Sequence, residues 1–185
     1  MLMKTNLKPT RAGNTEFHWG EKTYVMGIVN LSPDSFSGDG IGADVGMAAE
    51  QAHRMIAEGA DIIDVGGEST RPGTKAMSID DIKMEIDLVV PVIKRLAQEI
   101  DVPISIDTYK SRVAIKALEA GATILNDIWG LKKDPGLAEL AVQAKAPIIL
   151  MANQRENPTK VGIVGKVTSY LAEGINIALE AGVPP

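Results

Sequence analysis

The chain has 185 residues, 45% of them hydrophobic and 23% charged, with a net charge of −5 at pH 7 and no cysteine, a composition that suits one soluble core. The acidic balance, with no Lys/Arg cluster beyond Arg11 and the pair Lys132-Lys133, argues against nucleic acid or an anionic membrane surface as a partner. Disulfides, thiolate nucleophiles and zinc-cysteine sites are excluded, and no apolar run nears the roughly 20 residues of a membrane span, so the expected location is cytoplasmic.

Residues 1–23 read as an N-terminal segment with a hairpin, carrying His18 in the stretch FHWGEK, and 24–185 as a single barrel domain. Apolar runs at 24–29, 61–65, 103–107, 123–127 and 147–151 read as strands. Between and after them, helical spacing predicts helices over 44–58, 78–99, 110–120, 134–145 and 163–181. In AAEQAHRMIAEGAD, Ala49, Ala52, Met55 and Ile56 recur near helical spacing and Gly59 suits the C-cap. His53 falls inside that helix, so both histidines are expected to be structural.

Repeated strand-helix units with continuous Ile/Val/Leu strands imply an α/β fold on a parallel sheet. Polar residues close every strand: Asn30, Glu68, Asp107, Asn126 with Asp127, and Asn153. Convergence of all strand ends on one mouth favours a (β/α)8 barrel of the TIM type over a doubly wound sheet, where ligands gather at one switch point. No G-x-G-x-x-G follows the first strand, which weakens the dinucleotide alternative. A closed barrel takes about 250 residues, and only the first five units are expected here. Such a sheet has open edges, which predicts a chain continued elsewhere, a shortened product, or an association such as a homo-oligomer that covers the edge.

The strand ends carry the chemistry. In GIVNLSPDSFS, Pro33 bars simple helix continuation, and Asp34 and Ser35 serve equally as turn formers or as ligand groups. In DVGGESTRPG, consecutive glycines permit close backbone approach, Ser69 and Thr70 donate hydrogen bonds, and Arg71 offers a planar fork to phosphate or carboxylate. A surface turn ended by Pro72-Gly73 is its plainer reading. In SIDTYK, Asp107 ends an apolar strand. Buried there it needs donors, which a heterocycle with adjacent N–H and amino groups would supply; capping the helix at Lys110-Ser111-Arg112 is an equal reading. Asn126 and Asp127 repeat the pattern one strand later.

Taken together and in order, GIVNLSPDSFS, DVGGESTRPG, SIDTYK and ILND resemble the dihydropteroate synthase family of the pterin-binding barrel superfamily, over about residues 24–151. The resemblance implies a magnesium-dependent transferase of folate biosynthesis. It joins 6-hydroxymethyl-7,8-dihydropterin diphosphate to 4-aminobenzoate, giving 7,8-dihydropteroate and pyrophosphate. It implies that Asn30 supports magnesium and diphosphate, and that the loop of Asp34, Ser35 and Phe36 closes over the site. Thr70 and Arg71, with Ser69 beside them, would lie near diphosphate and Pro72 near aminobenzoate. Asp107 and Asn126 would hold the pterin ring, with Met151 on the pocket wall. The stretch Met151-Ala152-Asn153-Gln154 departs from the Met-His pattern of many relatives. The family's later aspartate, lysine, arginine and histidine motifs would fall after Pro185. A noncatalytic pterin-binding module is the alternative function. A methyltetrahydrofolate-binding corrinoid methyltransferase domain is a further one, against which Thr70 and Arg71 speak.

Overall fold

The structure is a computed structural model that describes residues 8–32, 44–68, 82–153 and 162–185. A two-residue turn at Gly13-Asn14 joins β1 (Thr10–Ala12) to β2 (Thr15–Phe17) in an antiparallel hairpin, with Gly13 at a φ of 57°. Phe17 stacks on Trp19 and meets Tyr24 edge-on. Together with Ala12 it packs on Ile62 and Ile124, the first residues of two strands, so the hairpin covers the amino-terminal end of the sheet.

The sheet itself contains β3 (Met26–Asn30), β4 (Ile62–Gly66), β5 (Ile104–Asp107), β6 (Ile124–Asp127) and β7 (Ile148–Leu150), parallel and in strict chain order. Between and after them run α1 (Val45–Ala57), α2 (Ile82–Glu99), α3 (Ser111–Ala120), α4 (Gly136–Ala144) and α5 (Ile163–Ala181). A strand order without reversal, crossed by connections of one hand, puts the helices on one face. That is barrel winding, whereas a doubly wound sheet reverses its order and has helices on both faces. The residue ranges expected from periodicity agree with these elements to within a few positions, apart from 78–81, which lie outside the described residues.

Register sorts the side chains. Val29, Ile63, Val65, Ile104, Ile106 and Leu125 turn toward the helices and are buried against Ala48, Ala52, Val89, Ile93, Ala117 and Ala141. Alternation sends Ile28, Asn30, Asp64, Gly66, Ser105, Asp107, Asn126 and Ile149 to the other face. Alanines on α1 and α3 let those helices settle close to the sheet. Pro91 lies inside α2 without ending it, although proline there forfeits a backbone bond; buried Val89, Val92 and Ile93 hold the helix on either side.

Gly121 shows how tightly the helices approach one another. It caps α3 at a φ of 120°, and a Cβ there would stand 2.5 Å from the Cβ of Ala97 on α2. Gly59 after α1 has a φ of 109° but nothing within 4 Å of its notional Cβ. Gly59→Ala therefore pays backbone strain of about 1 kcal/mol, while Gly121→Ala adds a steric clash. Thermal unfolding should show a larger drop for Gly121→Ala than for Gly59→Ala; equal drops would contradict this packing.

Candidate functional site

The site is built where β3 to β6 end. Asn30, Gly66, Asp107 and Asn126 are register partners in one layer across four strands. Gly66 is small by need, since a Cβ there would sit 3.4 Å from the Asp107 Cβ and 3.5 Å from its Oδ2. One layer deeper, Asp64 and Ser105 are partners on the same face, 2% and 0% exposed. The Asn126 Nδ2 donates to Asp64 Oδ2 at 3.1 Å. That bond settles the amide, with nitrogen toward Asp64 and the carbonyl oxygen left as an acceptor.

Burial raises the Asp64 carboxyl above its ordinary range, opposed by the nearby Ser105 hydroxyl and the Asn126 amide. The Ser105 approach is not a hydrogen bond of good geometry, because Ser105 Oγ and Asp64 Oδ1 both have no such partner among the described residues. Asp107 is pushed further. Burial first, then the like charges of Asp64, Glu85, Asp127 and Glu68, hold its carboxyl well above the usual range. Two carboxyls with raised affinity for protons, in successive layers on one face of the sheet, make this a candidate binding or catalytic centre.

Asp107 does not cap α3. The first amide of that helix, Ser111 N, donates at 2.8 Å to Asp134 Oδ2, whose other oxygen accepts from Gly136 N at 3.0 Å. Asp127, by contrast, is a structural acid. It is 1% exposed and accepts from Trp129 N at 2.8 Å and Leu131 N at 2.6 Å. These bonds hold a turn in which Gly130 and Leu131 have φ values of 60° and 65°. Burial raises Asp127 while the Leu131 and Trp129 amides lower it.

The other sequence candidates divide clearly. Asn30 Oδ1 accepts from Ser32 N at 2.9 Å, which fixes the turn after β3 and leaves the carbonyl a second lone pair. Met151 is 41% exposed and, with Ile28 at 60% and Ile149 at 37%, adds apolar surface beside the polar layer. Asn153 is buried. Asp34, Ser35, Phe36, Ser69, Thr70, Arg71 and Pro72 lie outside the described residues. His53 pairs with Glu99 at 3.0 Å on the outer helices, remote from the strand ends in sequence and role. Among the described residues no group of three or more His, Cys, Asp or Glu is arranged to hold a metal ion, and no helix is long and apolar enough to cross a membrane.

Four residues of this region escaped the sequence reading. Asp64 interrupts the run Ile62-Ile63-Asp64-Val65, and an acid amid buried apolar residues is itself a signal. Ser105 carries a weaker form of the same signal. Lys110 and Glu85 gave none, being separated from their partners by 42 and 25 residues of chain.

A parallel sheet wound in chain order, with carboxylates and amides gathered at the carboxyl ends of its strands, defines a barrel-type protein with a polar candidate site at that end of the sheet. Residues 26–185 match the family model for pterin binding enzymes, and the chain belongs to that family. The chain is 49% identical over 173 residues to the dihydropteroate synthase of Clostridium beijerinckii, covering 94% of this chain and 63% of that one. A Clostridium difficile dihydropteroate synthase crystallised in the presence of pteroic acid superposes with a TM-score of 0.81 at 43% identity, covering 91% of this chain and 63% of that chain. The Xanthomonas albilineans dihydropteroate synthase with 4-aminobenzoic acid gives 0.78 at 38% identity, covering 89% and 59%. The chain thus spans less than two thirds of the length of the relatives it matches.

The raised Asp107 carboxyl has a consequence for stability. A carboxyl that binds its proton more tightly in the folded state adds stability below its unfolded pKa of about 4. That share is lost as pH rises through the higher folded value. Asp107→Asn removes the share, so its melting temperature should fall less than that of the native chain between pH 4 and neutrality. Parallel pH profiles would show that Asp107 ionises without strain.

Proposed function

We propose that this chain is the pterin-binding part of a dihydropteroate synthase, acting on 6-hydroxymethyl-7,8-dihydropterin diphosphate and 4-aminobenzoate. The observation that carries the reading is the Asp107–Asn126 pair, aligned on adjacent strands with Asp64 fixing the amide below. An ionised Asp107 accepts two donors from a ring edge, and the Asn126 carbonyl accepts a third. A 2-aminopyrimidinone edge presents such donors side by side. Ile28, Ile149 and Met151 give the ring faces apolar contact.

In the reaction, the amine nitrogen of aminobenzoate attacks the pterin methylene carbon, and the bond from that carbon to the diphosphate oxygen breaks. Pyrophosphate leaves and the amine gives up a proton. Asp107 and Asn126 orient the ring so that the methylene faces the incoming amine, which is catalysis by position. The anionic surroundings of Asp107 favour positive charge developing on the pterin during departure. Asn30 is the oxygen donor that would hold magnesium, a cation that takes one or two protein oxygens together with phosphate oxygens. Its chemistry when bound is to neutralise the leaving pyrophosphate. Thr70 and Arg71 are assigned to the diphosphate, with Ser69 beside them, and Asp34 to the loop that closes over the site. Ser35, Phe36 and Pro72 are assigned to substrate contact, Pro72 on the aminobenzoate side.

The match to pterin binding enzymes also admits a second reading, pterin binding without turnover. Pyrophosphate release by the 185-residue chain, supplied with the dihydropterin diphosphate and magnesium with and without 4-aminobenzoate, separates the two. Release that depends on aminobenzoate is the expected result for a synthase. Binding with no release would support the noncatalytic module, and absence of binding would refute both. In the same titrations Asp107→Asn should weaken pterin about 100-fold or more, the loss of a charged hydrogen-bond pair. Arg71→Ala should weaken the diphosphate ligand more than free pterin; equal losses would remove Arg71 from the diphosphate.

A further inference from the structure

Directly behind the strand ends, one ammonium ties three elements together. Lys110 Nζ lies 2.9 Å from Glu68 Oε2 and 2.7 Å from Glu85 Oε2. The Lys110 and Glu85 side chains are 3% and 0% exposed, and that of Glu68 is 11%. Glu68 stands two residues past β4, Glu85 in the first turn of α2, and Lys110 at the start of α3, three residues after Asp107. Burial alone would lower the Lys110 ammonium, but its two carboxylates outweigh that and hold it above the ordinary value. Gly67 keeps the contact tight, since a Cβ there would stand 3.0 Å from Glu85 Cγ and 2.9 Å from Val89 Cγ1.

Stability alone gives no reason for this arrangement. Three buried charges can often be replaced by apolar groups of similar volume without loss, because desolvation offsets the attraction. What apolar groups cannot do is fix two carboxylates at set distances from one point. Glu68 and Glu85 also bracket residues 69–81 in the chain, the stretch that carries Ser69, Thr70 and Arg71.

We propose that Lys110 is a positioning residue for the pterin site: by binding Glu68 and Glu85 at once, it fixes the end of β4 and the first turn of α2 against the strand end that bears Asp107. This inference rests on the reading of the site as a pterin site and deepens it. It separates two duties among the acids of the cluster. Asp107 meets the ligand, whereas Glu68 and Glu85 are held to Lys110 and shape the frame around it.

The test is titration of free 6-hydroxymethyl-7,8-dihydropterin onto the 185-residue chain and its variants, followed by pterin fluorescence, with thermal melts alongside. Lys110→Met removes the ammonium that the Glu68 and Glu85 carboxylates share and should melt far below the native chain. The neutral triple variant Glu68→Gln/Glu85→Gln/Lys110→Met should melt near the native temperature yet bind pterin about tenfold more weakly, the scale of loss a small misplacement brings. Lys110→Arg should recover most of the native affinity. Native affinity in a stably folded triple variant would overturn the proposal and leave the triad purely structural.

Should the triple variant fail to fold, Glu68→Gln alone decides, because it leaves the Lys110–Glu85 pair intact. It should weaken pterin about threefold, a fraction of the loss that misplacement brings. It should also move the pH of half-maximal binding downward, since one of the carboxylates facing Asp107 is gone while Asp64, Glu85, Asp127 and Lys110 remain. Unchanged affinity and an unchanged midpoint would overturn the proposal. Failure of the native chain to bind pterin would instead refute the functional reading, so the two failures are told apart by the native titration.

Discussion

Register between neighbouring parallel strands is the constraint on which the site depends. Because side chains alternate, a slip of one residue between β4 and β5 would turn Asp107 toward the helices and bring Ile106 to the site. The pairings Gly66↔Asp107 and Asp107↔Asn126 fix that choice. They are themselves enforced by the helix side of the sheet, where Ile63, Val65, Ile106 and Leu125 are fully buried. An apolar core on one face thereby determines the placement of charge on the other.

That placement is costly, and the cost explains the local architecture. Asp64, Asp107 and Asp127 all lie at or near strand ends, and burial raises each of them. They are treated differently. Asp127 is satisfied by backbone amides and holds a turn. Asp64 is satisfied in part by the Asn126 amide, whose orientation it sets. Asp107, the most strongly raised of the three, lies on the sheet face away from the helices. Binding sites are often built from groups whose best partners arrive with the ligand, at the expense of the empty fold.

Much of this was legible in the sequence, for identifiable reasons. Strands between covering helices read as short continuous apolar runs, and amphipathic spacing marked α1 to α5, so the sheet and its helices followed. The polar residue closing each strand pointed to a common mouth, and Asp107 and Asn126 stood out because they end such runs. Asp64 was harder to see, since it lies inside an apolar run without a turn signal beside it. Whether Asp107 capped α3 or met a ligand also stayed open, because Asp134, whose carboxylate takes the Ser111 amide, lies 23 residues beyond Ser111. The Glu68–Lys110–Glu85 cluster is a tertiary contact among three elements, and no local pattern announces it. Asp127 and Lys110 look like two more polar residues of the mouth; only their partners reveal that one holds a turn and the other a frame.

The central claim is that a pterin ring is read by Asp107 and Asn126 at the ends of β5 and β6. A crystal structure of this chain soaked with 6-hydroxymethylpterin tests it most directly. The account predicts the pyrimidinone edge within hydrogen-bond distance of the Asp107 carboxylate and the Asn126 carbonyl, with Asn126 still donating to Asp64. A ring bound elsewhere, or one at the strand ends that leaves Asp107 untouched, would contradict it.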